Sequence, residues 1–486
     1  MSASTERKNR HAAREAGTDK KMLATQEAAA KAAVSRRRWI IGTIAVFLCI
    51  ILIIVFSSPA VYRFTRAETI GTKTWSPAEL HYTMGTSYYT TYANYFGEDY
   101  AKAMLENSLT STAALLQYAE ENGLQLIPAE KEAADKAMES LPEVAKSYGV
   151  GVNAYLTGMY GNGVNKSVVR RGMLESILIN KANFVKTCEL SFTDEELDAY
   201  YDSTEGTYDN YHYAVYQVAV DEQLPDEEAK ATAAAIAMSF QDGREEDMDP
   251  LVCLNDILAE EFPPVVHPDT DEAPTPAAAE EKTESGTSLD SAYREWLMDD
   301  ARQNGDIYVA QSSANDGYFV VLFLDRDDNS DTVASVRHIL IKAVADENGV
   351  YTEEAKAAAK ARCEELLEAW KVAGSSEADF ATLAMLWSED TGSTENGGLY
   401  YDVRPGQMVE EFDRFCFEPH SHGDTAIVYG ESGAYAGYHI IYFVGSESAR
   451  HAMARNDLTG KAITEWMSTI TEGLTPEYHW GYKLVG

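Results

Sequence analysis

The stretch "AGYHIIYF", residues 436–443, reads as a buried β-strand with an ionisable side chain in its middle. His439 alternates with Ile441 and Phe443, so those three share one face. A second run, "VRHILI" (336–341), has the same form, with His338 between Val336 and Leu340 on one face. If both strands lie centrally in one small antiparallel sheet, the imidazoles become cross-strand neighbours. Two buried histidines cannot both stay protonated at low cost, so a neutral, mutually hydrogen-bonded pair is the expected form. Taken singly, each histidine would more often be structural than chemical.

Working outward, the strand belongs to a repeat. "REWLMDDARQNGDIYVAQSSANDGYFVVLFL" aligns with "DRFCFEPHSHGDTAIVYGESGAYAGYHIIYFV", matching Gly305-Asp306 to Gly423-Asp424 and Gly317-Tyr318 to Gly437-Tyr438. Upstream, "YHYAVYQVAV" (211–220) and the helical stretch after it parallel "VRHILIKAVA" (336–345) and "TEEAKAAAKARCEELLEAW" (352–370). Two copies of one β-α…α-β-β module are expected, at 206–326 and 333–446. In the first, Phe319 takes the place of His439, and either His212 or Tyr213 that of His338. Inside that copy, residues 263–289 are rich in Pro, Ala and acidic groups without apolar periodicity, which reads as a solvated linker. Residues 447–486 read as a helical extension.

The region before the repeat is helical in pattern. Ser76 is a fitting N-cap, with Pro77 at the first helical position and Glu79 in the first turn. Helices are expected at 98–122, 128–147, 151–160, 165–188 and 193–203, the last opened by a Thr193–Glu196 capping box. Residues 76–205 therefore read as one all-α domain. Tyr88, Tyr92 and Tyr95 recur at helical spacing; the favoured reading is an ordinary core stripe, against an aromatic surface that holds unfolded chains.

Charge is strongly segregated. Residues 1–38 carry ten Lys/Arg against four Asp/Glu, whereas everything after residue 56 carries 30 basic and 74 acidic side chains. A surface that acidic repels nucleic acid. Between the two lies "WIIGTIAVFLCIILIIVF", Trp39–Phe56, 18 residues without a charge and long enough to cross a hydrocarbon core of ~30 Å. No clear A-x-A cleavage site follows, and "VFL" before Cys49 does not suit a lipoprotein signal. Arg36, Arg37 and Arg38 flank the run on its N-terminal side, so the tail is expected in the cytoplasm and residues 57–486 outside, with 57–75 as a stalk. The expectation is a single-pass anchor in the cell membrane, the alternative a cleaved, secreted protein. Cys188, Cys253, Cys363 and Cys416 are too widely and irregularly spaced for a zinc site or a dense disulfide framework. "PHSHGD" (419–424) and the acidic runs lack the ligand spacing of zinc or calcium sites and read as solvated loops.

The segment "VRHILI…FATLAMLWSEDTGSTENGGLYYDVRPGQMVEEFDRFCFE…GD…AGYHIIYFV" resembles a parvulin-type peptidyl-prolyl cis–trans isomerase over residues 333–446. The anchored arrangement, with helices ahead of that module, is similar to the PrsA and SurA class of extracytoplasmic foldases, and the first copy is then a degenerate parvulin. The resemblance implies an α+β fold: an N-terminal transmembrane helix, an all-α chaperone-like domain and two small antiparallel sheets with helices. It implies His338 and His439 as the paired histidines, Asp390 as the active-site acid, and Leu399, Met408 and Phe412 as the pocket for the proline ring. No cofactor or metal is implied. The implied partners are unfolded exported polypeptides containing X–Pro bonds, with homodimerisation left open; a holdase without isomerase activity is the alternative. Two stretches depart from the family pattern: the turn "LYYDVRPGQM" and the loop "YGESGAYAG" are extended. Ala436 also stands where a small polar residue is common.

Overall fold

The computed structural model describes residues 2–17, 20–56, 58–222, 224–244, 247–262 and 278–485. Two compact units divide the chain: residues 1–117, 134–175 and 473–486 form one, and 118–133 with 176–472 the other.

In the first unit, residues 66–75 are more than a stalk. Strands Glu68–Ile70 (β1) and Lys73–Trp75 (β2) form a hairpin, and Glu68 and Thr69 pair on the other side with Tyr478 and Glu477. Apolar burial holds it: Ala67, Ile70 and Trp75 pack with Leu80, Leu109 and Ala113. The helix Pro77–Thr86 opens with a reciprocal cap, Ser76 Oγ accepting from the Glu79 N–H and the Glu79 carboxylate accepting from the Ser76 N–H. The aromatic stripe differs from its sequence reading. Tyr88, Tyr95 and Phe96 are 71%, 80% and 66% exposed, and their neighbours Tyr92 and Tyr100 touch Phe96. The helix Tyr89–Phe96 buries none of its residues, so helical spacing here marks an open face. The uncharged run Trp39–Phe56 lies in the helix Lys20–Phe56. Among the described residues no helix is long and apolar enough to cross a membrane; the side chains of 52–56 fall outside the description.

The second unit contains two four-stranded antiparallel sheets of the same topology. The first is built from Asn210–Ala219 (β3), Glu280–Ser285 (β4), Ile307–Gln311 (β5) and Gly317–Asp327 (β6), in the order β4-β3-β6-β5. The second uses Thr332–Lys342 (β7), Leu399–Val403 (β8), Thr425–Ser432 (β9) and Tyr435–Ser448 (β10), in the order β8-β7-β10-β9. Of the stretch read as a linker, residues 263–277 lie outside the described residues, while β4 is an edge strand. Its acidic side chains find partners on β3, Glu281 with His212 and Glu284 accepting from the Tyr213 hydroxyl.

The likeness extends to register. Gly317 faces Ala219 and Gly437 faces Lys342; counting from these pairs, the β-bulge of each central ladder falls at the same place, Leu324 in one and Val444 in the other. The turn contacts repeat as well: Gly305 N–H donates to Phe323 O as Gly423 N–H donates to Phe443 O. In the second sheet one face buries Ile339, Ile440 and Tyr442 against helices Glu353–Val372 and Glu377–Trp387. The other buries Val336, Ile441 and Phe443 against Phe412, Phe415 and Cys416 of helix Glu410–Phe417. Each such aliphatic or aromatic side chain removed from water contributes about 1.5–3 kcal/mol. His338 and His439 interrupt the second of these faces.

Candidate functional site

His338 and His439 lie on the two central strands, β7 and β10. They are not directly opposed: His338 faces Ile441, and His439 faces Leu340. The diagonal between them is closed by the imidazoles themselves, Nδ1 to Nδ1 at 3.1 Å, with rings nearly parallel at 5.3 Å. Both residues are at most 4% exposed. The helix Glu377–Trp387 ends at Ser388, and the turn after it brings Asp390 Oδ2 to 2.8 Å from His338 Nε2. Ser393 Oγ and the Tyr400 hydroxyl donate to the same Asp390 oxygen, each at 2.7 Å.

The donors and acceptors admit one consistent order. Tyr435 O–H lies 2.9 Å from His439 Nε2; with that nitrogen accepting, His439 donates from Nδ1 to His338 Nδ1, and His338 donates from Nε2 to Asp390. The hydrogen bond from His338, joined by those of Ser393 and Tyr400, outweighs burial and holds the Asp390 carboxyl well below the usual carboxylate range. Burial first, then the neighbouring His338, brings His439 down to about 3. Burial and the Asp390 charge push Tyr400 up to about 12. The site is thus an ionised carboxylate at one end of a relay that continues through His439 to a phenol.

The apolar wall is Phe412, whose ring meets both imidazoles edge-on at 5.4 and 5.2 Å. Met408 packs beside it, partly buried. Leu399 is elsewhere. It pairs with Arg337, so its side chain lies on the sheet face away from His338, where with Arg337, Glu377 and Tyr401 it lines a cavity of about 310 Å³. The place expected for Leu399 is taken by Tyr400, which pairs with Val336 and stacks on His338 at 5.0 Å. The structure therefore brings together His338, Asp390, His439, Met408 and Phe412, and not Leu399. The double glycine before it is required: Gly398 has φ +74°, and a Cβ there would lie 2.3 Å from the His338 carbonyl. In return, the His338 N–H donates to Gly398 O at 2.9 Å.

Residues 318–445 match the family model described as the PPIC-type PPIase domain. This region belongs to the parvulin-type peptidyl-prolyl isomerases. Foldase protein PrsA 3 of Bacillus cereus and of Bacillus anthracis are each 43% identical over 63 residues, 13% of this chain and 21% of theirs. The match thus spans about a fifth of the length of those curated relatives. A crystal structure of peptidylprolyl isomerase (PrsA) from Bacillus cereus is similar at 26% identity and TM-score 0.18, over 30% of this chain and 49% of that one. PrsA from Bacillus subtilis is similar at 11% identity and TM-score 0.19, over 79% of this chain and 86% of that one.

The first sheet lacks the histidine pair. With the register shared, the position of His439 is Phe319 and that of His338 is Val215, rather than His212 or Tyr213. His212 instead pairs with Glu281 on the edge strand. The corresponding space is filled: Tyr293, 5% exposed, packs edge-on against Phe319 at 5.6 Å. Three residues of the cluster around His338 and His439 escape a reading of the sequence. Ser393 sits in a turn, where serine is common. Tyr400 is hidden by the strand register. Tyr435 was within reach, since residues 435, 437 and 439 alternate onto one face.

Proposed function

We propose that this chain is a membrane-anchored foldase that catalyses cis–trans isomerisation of X–Pro bonds in exported polypeptides without covalent chemistry. The observation that carries the reading is the Asp390–His338–His439 relay set against Phe412 and Met408. Rotation about an X–Pro bond must overcome an amide resonance barrier of ~18–20 kcal/mol. It leaves unaided folding steps at tens to hundreds of seconds. A catalyst needs no nucleophile here; it needs a dry surface for the ring and a polar edge that binds the twisted amide better than either planar form. Met408 and Phe412 would hold the ring. The Asp390 carboxylate and the neutral imidazoles would supply fixed dipoles that need no reorganisation as the amide twists. The first sheet, its site filled by Tyr293 and Phe319, would serve as scaffold or client-binding surface.

Trp39–Phe56 is the proposed anchor, with residues 1–38 in the cytoplasm and the remainder outside, on the strength of its uncharged length and the flanking arginines. Protease added to intact, wall-stripped cells should digest the large region; full protection would reverse the orientation. The catalytic reading is tested by the rate of proline isomerisation in a model peptide with the full chain and with Asp390→Ala and His439→Ala. If both variants stay folded and keep the parent rate, the site is not catalytic.

A holdase is the second reading, favoured by the exposed Tyr88, Tyr95 and Phe96. Under it, suppression of aggregation of an unfolded client survives Asp390→Ala and is lost when those three aromatics become serine.

A further inference from the structure

The extended turn between β8 and the helix Glu410–Phe417 is tied to the first sheet. It links Tyr400, which stacks on His338, to Met408 and Phe412. Inside the turn, Arg404 N–H donates to Gln407 Oε1 at 2.9 Å and Gly406 N–H to Asp413 Oδ1 at 2.7 Å. The Arg404 side chain reaches away from the turn, and its Nη2 donates to Asn329 Oδ1 at 2.9 Å. Asn329 lies in the short segment between β6 and β7 that joins the two sheets; it is 1% exposed and has φ +56°. Asn210 of β3 donates to the same Oδ1 at 3.1 Å. Asn329 Nδ2 donates to the Tyr208 carbonyl at 2.8 Å and to the Tyr201 hydroxyl at 3.0 Å. A side-chain amide has two acceptor and two donor places, and all four are taken. Its backbone is bonded as well, N–H donating to Asp327 Oδ1 and the carbonyl accepting from Arg450 N–H. Asparagine enters this left-handed region more readily than most side chains; glycine, which enters it more freely still, has no amide to offer.

We propose that Asn329 is a positioning residue through which the first sheet holds the turn that carries Met408. The copy without a histidine pair thereby keeps a task. Asn210, Tyr208 and Tyr201 fix the Asn329 amide, the amide fixes Arg404, and Arg404 fixes how the turn leans over the site. The bonds within the turn set its shape; Arg404, which also approaches Asp331 of the joining segment at 3.9 Å, sets its place. A hydrogen bond from a guanidinium is roughly twice as strong as one between neutral groups, so the tie is firm for a single contact. Its effect falls on binding. A wall held in place before a client arrives spares the cost of ordering it on association, and the relay that faces the twisting amide is left unaltered. This role rests on the isomerase reading and adds a determinant of affinity that lies outside the second sheet.

The experiment uses the full chain as wild type, Arg404→Ala, Asn210→Ala and the double variant. The Arg404 side chain is 39% exposed, so it can be cut back without opening a hole in the core. Hydrogen exchange of residues 404–409 reports the turn, and isomerisation of a model X–Pro peptide reports KM and kcat. Arg404→Ala should speed exchange in 404–409 severalfold and raise KM about threefold or more, with kcat within about twofold. Asn210→Ala, a change in the other sheet, should speed exchange in 404–409 in the same direction and leave 436–443 as in the parent. The double variant should match Arg404→Ala alone, since a severed tie cannot be loosened further from its far end. Parent exchange of 404–409 in Asn210→Ala, equal loosening of 436–443, additive effects in the double variant, or an unchanged KM in Arg404→Ala overturns the proposal. The expected exchange pattern in a chain whose wild type shows no turnover supports the tie and overturns the isomerase reading instead.

Discussion

Val215 stands in the first sheet where His338 stands in the second, in the same register and at the same distance from a shared β-bulge. The backbone of the repeat is preserved while both of its imidazole positions are apolar, Phe319 taking the place of His439. A sheet of this kind therefore folds without a histidine pair, and the pair in the second sheet needs a reason other than stability. Replacing both, as His338→Val with His439→Phe, should bring the full chain to the uncatalysed rate of proline isomerisation. Turnover at the parent rate would show that the histidine pair is not needed for catalysis.

Met408 and Phe412 should separate. Phe412 is 2% exposed and supports both imidazoles, so Phe412→Ala should cost about 3–5 kcal/mol of domain stability as well as activity. Met408 is only partly buried; Met408→Ala should raise KM severalfold and leave the melt within about a degree or two. Equal destabilisation by both changes would mean that Met408 belongs to the core.

The division of the site into legible and illegible parts follows from strand geometry. His338 and His439 could be placed because long alternating strands declare their faces. Leu399 could not: β8 is five residues long, follows two left-handed glycines, and takes its face from its pairing with Arg337. A slip of one residue exchanges Leu399 for Tyr400. The Tyr88–Tyr95 spacing showed a helix face but not what covers it, since periodicity is the same for a buried stripe and an open one. β4 is polar or charged at every one of its six positions, and only its ladder to β3 identifies it.

Acidity should act with opposite sign on the two units. His439 titrates near 3 in the fold against about 6.5 unfolded. Stability from its neutral form is present above pH 6.5 and lost as pH falls, by about 2 kcal/mol at pH 5. Glu68 is driven up to about 7 by burial and then by the nearby Glu106, against about 4.3 unfolded. Its contribution is full below the unfolded value and is lost as pH rises through 7, by about 2.5 kcal/mol between pH 5 and 7.5. Hydrogen exchange of the full chain, corrected for intrinsic rate, should show residues 66–75 better protected at pH 5 than at pH 7.5, and 436–443 less so. Glu68→Gln and His439→Phe should each flatten their own trend. The same sign in both segments would refute the assignment.

Gly430→Ala should remove turnover by more than about tenfold, because its methyl group would crowd His439 Nε2. Gly433, in the same hairpin, has nothing within 4 Å of the place its methyl group would take, and it is the control: Gly433→Ala should keep the parent rate. Loss in both would point to the hairpin backbone instead of the histidine.

The pairing of Glu68 with Tyr478 joins positions from opposite ends of the chain, and His479 and Gly481 donate backbone hydrogen bonds to Ala67 and Arg66 beside it. On the ribosome, which builds the chain from its N-terminal side, residues 66–75 must wait for partners that are made much later. Until residue 478 has been synthesised, the hairpin keeps an open edge, and both sheets of the second unit have their strands in hand before the first unit can close. Closure of the first unit therefore follows synthesis of both sheets of the second, which sets an order of folding between the two units.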